Sequence, residues 1–409
     1  LAQAGKLSTL HQWWHQFPAP LRELASVRLV ASFGAGGVLY LTPMVFHQAH
    51  FSASQVGTGL ALAALAGTIG RFVSGWLLDR GLSCGLPVLL AALCGFCGDA
   101  LLLGAHNQSG YIAGQLLLGS AGGLYWPAVE LAVPLCSAPV PSARGYALSR
   151  TADAAGVASG TLTGAVLAQL GHLRGVYLVD MAAVLALAAL LLWRPLPRAL
   201  QVGRSGVEPV PLGQWLPALL PMLLLSVVAT SIPALMQSAL PLDLVRGGLE
   251  RDAQPEAISA LLIGIPLALL VLIQWPVGQA MARRSVAVGL GLSMVCFSGG
   301  AALLALSALR DDGVVLVVVA LMLLALGEAA FLPTSTEAVV ELSPEGHGGL
   351  AMALFSQCFA LSAFGAPLIA GLLLDRQGHG LVLWLLVALV CALCLLLVGP
   401  IRRRAHVKG

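Results

Sequence analysis

The 409 residues are 58% hydrophobic and only 10% charged, with a mean hydropathy of +0.91, a balance outside that of soluble domains. The formal net charge is +3, and the 21 Lys and Arg are scattered rather than massed, so no basic stripe marks a nucleic-acid binder. The numbers describe a chain solvated by lipid, with the bilayer as its main partner.

Residues 1–25 read as a cytoplasmic lead-in. Trp13 and Trp14 stand among polar residues before any apolar run, which suits rings at headgroup depth and not a cleavable signal peptide. A helix crossing about 30 Å of hydrocarbon needs roughly 20 apolar residues, with breaks marked by charge, Pro and Gly. Twelve spans are predicted, at 26–48, 55–78, 84–104, 110–133, 147–170, 175–193, 214–239, 257–281, 286–308, 313–336, 349–373 and 380–400. The segment "RPLPRALQVGRSGVEPVP" supplies a central cytoplasmic linker at 194–212, between six-helix bundles at 26–193 and 213–400, and a basic tail follows at 401–409. With both termini cytoplasmic, sixteen Lys and Arg fall on the cytoplasmic side and five on the other, as the positive-inside bias requires.

The two halves repeat. Gly75 and Arg80 align with Gly278 and Arg283 at an offset of 203, Pro127 with Pro333 at 206, and Gly145 with Gly349 at 204. The repeat also sorts two look-alikes. "GWLLDRG" at 75–81 closes the second span, whereas "GLLLDRQG" at 371–378 closes the eleventh, on the opposite side, and aligns with "GAVLAQLG" at 164–171, which has no acid. The repeat partner of Asp79 is Ala282.

Eight cysteines include two CxxC pairs, Cys94/Cys97 and Cys391/Cys394, both inside apolar runs with no further ligand at metal spacing; packing accounts for them. His47 and His50 likewise lack companion ligands, so no metal and no cofactor is expected. Small residues at Gly34, Gly36, Gly37, Gly119, Gly122 and Gly123 suit close helix approach in lipid. They do not form a phosphate loop, because no strand precedes them and no Lys-Ser/Thr follows.

The chain resembles the major facilitator superfamily of secondary transporters. "GWLLDRG" is similar to that family's loop signature at Gly75, Leu77, Asp79 and Arg80, and departs from it at Gly81 and at Leu82-Ser83, where basic residues are usual. "ARGYAL" at 143–148 and the ladder Gly156, Gly160, Gly164 extend the likeness. The resemblance implies an all-α integral membrane protein, with twelve transmembrane helices in two pseudo-symmetric six-helix bundles, the major facilitator fold. The resemblance is to the twelve-span, drug/proton antiporter-like type. It implies a monomer in a bacterial inner membrane that takes a small-molecule substrate and draws on a proton gradient.

Charges inside spans cost about 2.5–3.5 kcal/mol each on insertion scales, so each needs a partner or a task. Arg71, Gly75, Asp79, Arg80, Glu130, Arg144, Arg150 and Asp153 cluster on the predicted cytoplasmic side. By resemblance the loop Asp helps latch the halves together. The plainer role, fixing topology, is compatible with that one. Deeper lie Asp99, Asp180 and Glu328. Asp180 stands near the end of its span, where it can reach the interface, and Asp99 is on a peripheral span. The resemblance places spans one, four, seven and ten around the central cavity, which makes Glu328 the first candidate for proton or cation coupling and Asp99 the second. A carboxyl in low dielectric can take and release a proton as access alternates, or serve as a hydrogen-bonded structural group.

The remaining cavity candidates are Tyr40, Gln115, Tyr125, Trp126, Thr230, Gln237, Gln274, Phe331 and Thr334. Gln115 stands where many relatives carry an Arg, which disfavours an anionic substrate. Together these features point to proton-coupled efflux of an amphipathic or cationic small molecule. The alternative is uptake of a neutral or zwitterionic nutrient, and a transport-dead sensor is a more distant one. An integral-membrane enzyme is disfavoured, because the sequence holds no HExxH, no GxSxG and no His and Asp paired on one membrane face.

Overall fold

A computed structural model describes residues 14–140, 142–198, 212–281, 283–343 and 348–405. Among them run twelve long helices: α1 Ala19–Gln48, α2 Ala53–Asp79, α3 Gly85–Gly104, α4 Gln108–Ser137, α5 Ser142–Gln169, α6 Gly175–Trp193, α7 Leu212–Arg246, α8 Glu256–Met281, α9 Val286–Ser307, α10 Gly313–Leu342, α11 Gly348–Gln377 and α12 Leu381–Ala405. Eleven of these are long and apolar enough to cross a membrane; α5 is the exception. The molecule is an integral, multi-pass membrane protein. Large apolar side chains such as Leu192, Trp193, Leu272 and Leu396 point outward, as they should where the surrounding solvent is hydrocarbon.

Helix ends follow local chemistry. Asn107 opens α4 by accepting the Gly110 N–H at 2.8 Å, the usual task of an N-cap amide. Gly171 closes α5 at φ +76° and Gly378 closes α11 at φ +77°, a left-handed conformation that side chains resist. These are the two glycines that the internal repeat aligns.

Packing separates two compact units. The first is 1–38, 65–163 and 174–203; the second is 39–64, 164–173 and 204–409. In the first, α3 packs on α4 and α6, and Leu21, Leu24, Val88, Val129, Val133 and Leu187 fill one buried cluster. α5 lies directly on α1: a Cβ on Gly156 would stand 2.6 Å from the Leu29 carbonyl oxygen, and Thr161 donates to the Gly36 carbonyl at 3.1 Å. In the second unit α9 packs on α10 and α12, α7 on α11, and α8 on α10.

The loop where the sequence departs from the family signature is tied down by the departing residue. Ser83 Oγ donates to the Leu196 carbonyl at 2.8 Å and accepts the Gly85 N–H at 3.1 Å, while Cys84 N–H reaches the Pro197 carbonyl at 3.0 Å. The start of the predicted linker is thereby pinned to the α2–α3 turn. The rest of that linker, residues 199–211, and Ala282 lie outside the described residues.

α7 runs seven residues beyond its predicted end at 239, through Pro241 and Asp243 to Arg246. Asp243 is fully buried and holds three donors: Arg251 Nη2 at 3.1 Å, Gly380 N–H at 2.9 Å and Trp384 Nε1 at 3.1 Å. Arg251 continues to Ser307 Oγ at 2.6 Å. This node joins α7, α9 and α12 and gives the Asp243 carboxylate its donors, which explains how a charge is accommodated inside the extended helix.

Replacing Gly156 by Leu should lower the thermal midpoint of the detergent-solubilised protein by the equivalent of about 1–3 kcal/mol, the usual range for overpacking. Gly122→Ala, with nothing within 4 Å of the added Cβ, should leave it within about 0.5 kcal/mol. Thermal-shift measurement of both variants checks the α1–α5 contact.

Candidate functional site

Two polar constellations stand out, one in each unit. In the first unit the centre is Arg28, a residue of α1 that lies within the first predicted span and that the sequence alone presents only as a topology charge. Its guanidinium is fully buried. Nε donates to Asp153 Oδ1 at 3.0 Å, and Nη2 is shared between Asp153 Oδ2 and Glu130 Oε1, the latter at 2.9 Å. Arg150 reaches the same Glu130 oxygen at 3.2 Å, and Ser32 Oγ donates to Asp153 at 3.3 Å. Both guanidiniums lie over the Trp126 ring, 5.5 Å and 5.9 Å from its centre, within cation–π range. Tyr125 packs edge-on against Trp126 at 5.4 Å. Two arginines thus balance two carboxylates across α1, α4 and α5.

Of the predicted cytoplasmic cluster, Glu130, Arg150 and Asp153 meet in this network. Arg150 pairs with Glu130 and not with its helical neighbour Asp153. Arg80 stacks on Trp76 at 3.6 Å and Arg144 faces Phe17 at 5.7 Å. Arg71 is half-buried and makes no ion pair with a described residue. Gly75 has open space beside it, and the side chain of Asp79 lies outside the described residues. Tyr125 and Trp126, expected in a substrate cavity, belong to the Arg28 network. Gln115 is buried on α4.

In the second unit the carboxyl of Glu328 on α10 is half-buried and makes no hydrogen bond or ion pair with a described residue. It lies close enough to the Tyr40 hydroxyl of α1 to act on it electrostatically, and the Gln237 side chain of α7 lies beside that same hydroxyl. Three predicted cavity or coupling residues are thereby brought together. Others make contacts within the bundle. Thr230 Oγ1 joins Ser362 Oγ at 2.8 Å, tying α7 to α11. Thr334 donates to the Ala330 carbonyl at 2.7 Å and packs against Gly289 of α9. Phe331 is buried. Gln274 is half-buried without a hydrogen bond to a described residue.

Two acids differ from their expected surroundings. Asp180 does not reach an interface: it is 7% exposed, in contact with Asp99 of α3, and its Oδ1 occupies the space beside Gly34 of α1. Asp375, for which the repeat shows no counterpart, caps α2. Its carboxylate accepts the N–H groups of Ala53 at 2.9 Å and Ser54 at 2.7 Å, and pairs with Arg246 at 3.1 Å. A carboxylate at a helix N-terminus satisfies orphan donors and meets the positive end of the dipole.

The sequence matches the Major Facilitator Superfamily over residues 24–314. No curated protein matches it significantly. Among solved structures it is similar to a POT family transporter in complex with 5-aminolevulinic acid, at 13% identity and a TM-score of 0.79, covering 94% of this chain and 97% of that one. It is similar to a mutant of the nucleoside transporter NupG at 12% identity and a TM-score of 0.77, covering 94% and 99%. It is also similar to the peptide transporter POT in complex with sulfate, at 14% identity and 0.74, covering 96% of each. These likenesses concern the fold.

Arg28→Met should destabilise the protein by about 3–5 kcal/mol, because it leaves Asp153 buried and uncompensated; Arg28→Lys, which keeps the charge but loses the fork, should recover part of this. Asp375→Ala should cost about 0.5–2 kcal/mol through loss of the α2 cap. Thermal unfolding of the purified variants reads both.

Proposed function

The chain belongs to the major facilitator superfamily, and from that premise we propose that it is a proton-coupled secondary transporter that works by alternating access and exports an amphipathic or cationic small molecule. The observation that carries this reading is Glu328, a membrane-embedded carboxyl without a cationic partner among the described residues, beside Tyr40 and Gln237. An intramembrane acid with no base can exchange a proton for a cationic substrate, since either one neutralises it.

The aromatic and amide neighbours suit an amphipathic solute, with Tyr40 offering an apolar ring and a hydroxyl. On the helices expected to line the cavity, two positions bear on an anionic substrate. Arg28 is committed to Asp153 and Glu130, and Gln115 supplies no charge. Energy comes from the proton gradient without an organic cofactor. In this reading the protein acts as a monomer in a bacterial inner membrane with both termini in the cytoplasm, an orientation that the bias in Lys and Arg supports.

Reconstituted in proteoliposomes with an imposed pH gradient, the wild type should move a fluorescent amphipathic cation against its gradient. Glu328→Gln should abolish that coupled movement, a loss of about tenfold or more, while the variant remains folded and still exchanges the probe passively. Full proton coupling in Glu328→Gln would remove Glu328 from the mechanism. Accumulation of neutral or zwitterionic solutes by cells carrying the gene, with no effect on cations, would replace export by uptake.

A further inference from the structure

The ion-paired acids Glu130, Asp153, Asp243 and Asp375 are each matched by an arginine. Asp99 and Asp180 are not. Asp99, on α3, has no exposed surface, and neither of its carboxyl oxygens meets an N–H or O–H donor. The group it meets is the carboxyl of Asp180 on α6, a helix packed directly against α3. Asp180 is 7% exposed and abuts Gly34 of α1, where any side chain would displace it.

Among the described residues, the surrounding elements offer no compensating base. α3 adds only the thiols Cys94 and Cys97, α4 the phenols Tyr111 and Tyr125 and the acid Glu130, and α6 the phenol Tyr177. On α1, Arg28 is committed to Asp153 and Glu130 and Arg22 lies against His15 at 2.7 Å. Arg174, just before α6, donates to the Leu103 and Ala105 carbonyls; Arg194, just after it, pairs with Glu23. Among the described residues, the charged neighbour that bears on Asp99 is Asp180.

Two carboxylates in contact can form a hydrogen bond only if one of them carries a hydrogen, and two like charges in a dry site repel. Multi-oxygen cation sites need more ligands than two side chains supply, and no group of three or more His, Cys, Asp or Glu gathers among the described residues. We propose that Asp99 and Asp180 form a proton-binding site of the first unit, two carboxyls sharing one proton against Gly34, separate from Glu328. The donated hydrogen gives one of the two orphaned Asp99 oxygens a partner and holds α3, α6 and α1 together. Its release puts two negative charges side by side and drives those helices apart, so occupancy of the site governs their packing.

The site is independent of the transport reading, and infrared spectroscopy of the full-length protein in lipid nanodiscs tests it. At about pH 8 an ordinary aspartate is fully ionised. The wild type should nevertheless show a protonated-carboxyl C=O band that shifts in D2O. The band should persist in Glu328→Gln and disappear in Asp99→Asn and in Asp180→Asn, where the amide donates to the remaining carboxylate. Should a single variant fail to fold, the Asp99→Asn/Asp180→Asn double variant, whose amides bond to each other without a proton, supplies the reference spectrum. Absence of the band in the wild type, its loss in Glu328→Gln, or its survival in the Asp variants overturns the proposal.

Discussion

A guanidinium with no exposed surface, that of Arg28, is the group around which the first unit is organised. Removing such an ion from water costs several kcal/mol even after relaxation, and only well-placed opposite charge offsets that cost. Asp153 and Glu130 provide it through forked, charge-assisted hydrogen bonds, and Arg150 and Trp126 complete the neutralisation. α1, α4 and α5 are therefore fixed in mutual rotation by electrostatics before shape complementarity is considered. Their side chains have few other orientations that leave no bare charge.

Small residues then allow the approach that the charges demand. Gly156 lies against the Leu29 carbonyl of α1, close along each helix to Arg28 and to Asp153. A larger residue there would hold the backbones apart and lengthen the ion pair. The same relation joins Gly34 to Asp180: the missing side chain is the space the carboxyl fills. In lipid, where water exclusion contributes little between helices, this combination of close backbones and satisfied polar groups carries the packing energy.

The helices are legible in the sequence because hydrocarbon thickness imposes length and composition on them. The sixth span is predicted at 175–193, and α6 covers those residues. The seventh is predicted too short because Pro241 and Asp243 look like a helix end, when tertiary partners from the start of α12 satisfy the acid. Among the polar groups, sequence identifies which charges lie in the membrane and not whom they meet. Asp153 pairs with Arg28 across 125 residues of chain and not with Arg150 three positions away. Arg28 is easily passed over because it sits near the start of its span, where an arginine ordinarily reaches water. Asp180 is misplaced for the mirror-image reason. Counting Arg28 as an intramembrane charge in search of acids points to Glu130 and Asp153.

α5 stands apart from the other eleven helices in being too polar to qualify as a span by its own composition. Presented alone to the insertion machinery of a membrane, a segment carrying Arg144, Arg150 and Asp153 would tend to pass through or remain outside, since each charge opposes entry by about 2.5–3.5 kcal/mol. Its counter-charges, Arg28 on α1 and Glu130 on α4, are synthesised earlier. Order of emergence from the ribosome therefore matters: by the time α5 appears, the groove that neutralises it is already in the bilayer. A circular permutation that moved α5 ahead of α1 would keep every native contact available to the finished fold and yet deprive the nascent chain of the partners it needs to enter the membrane.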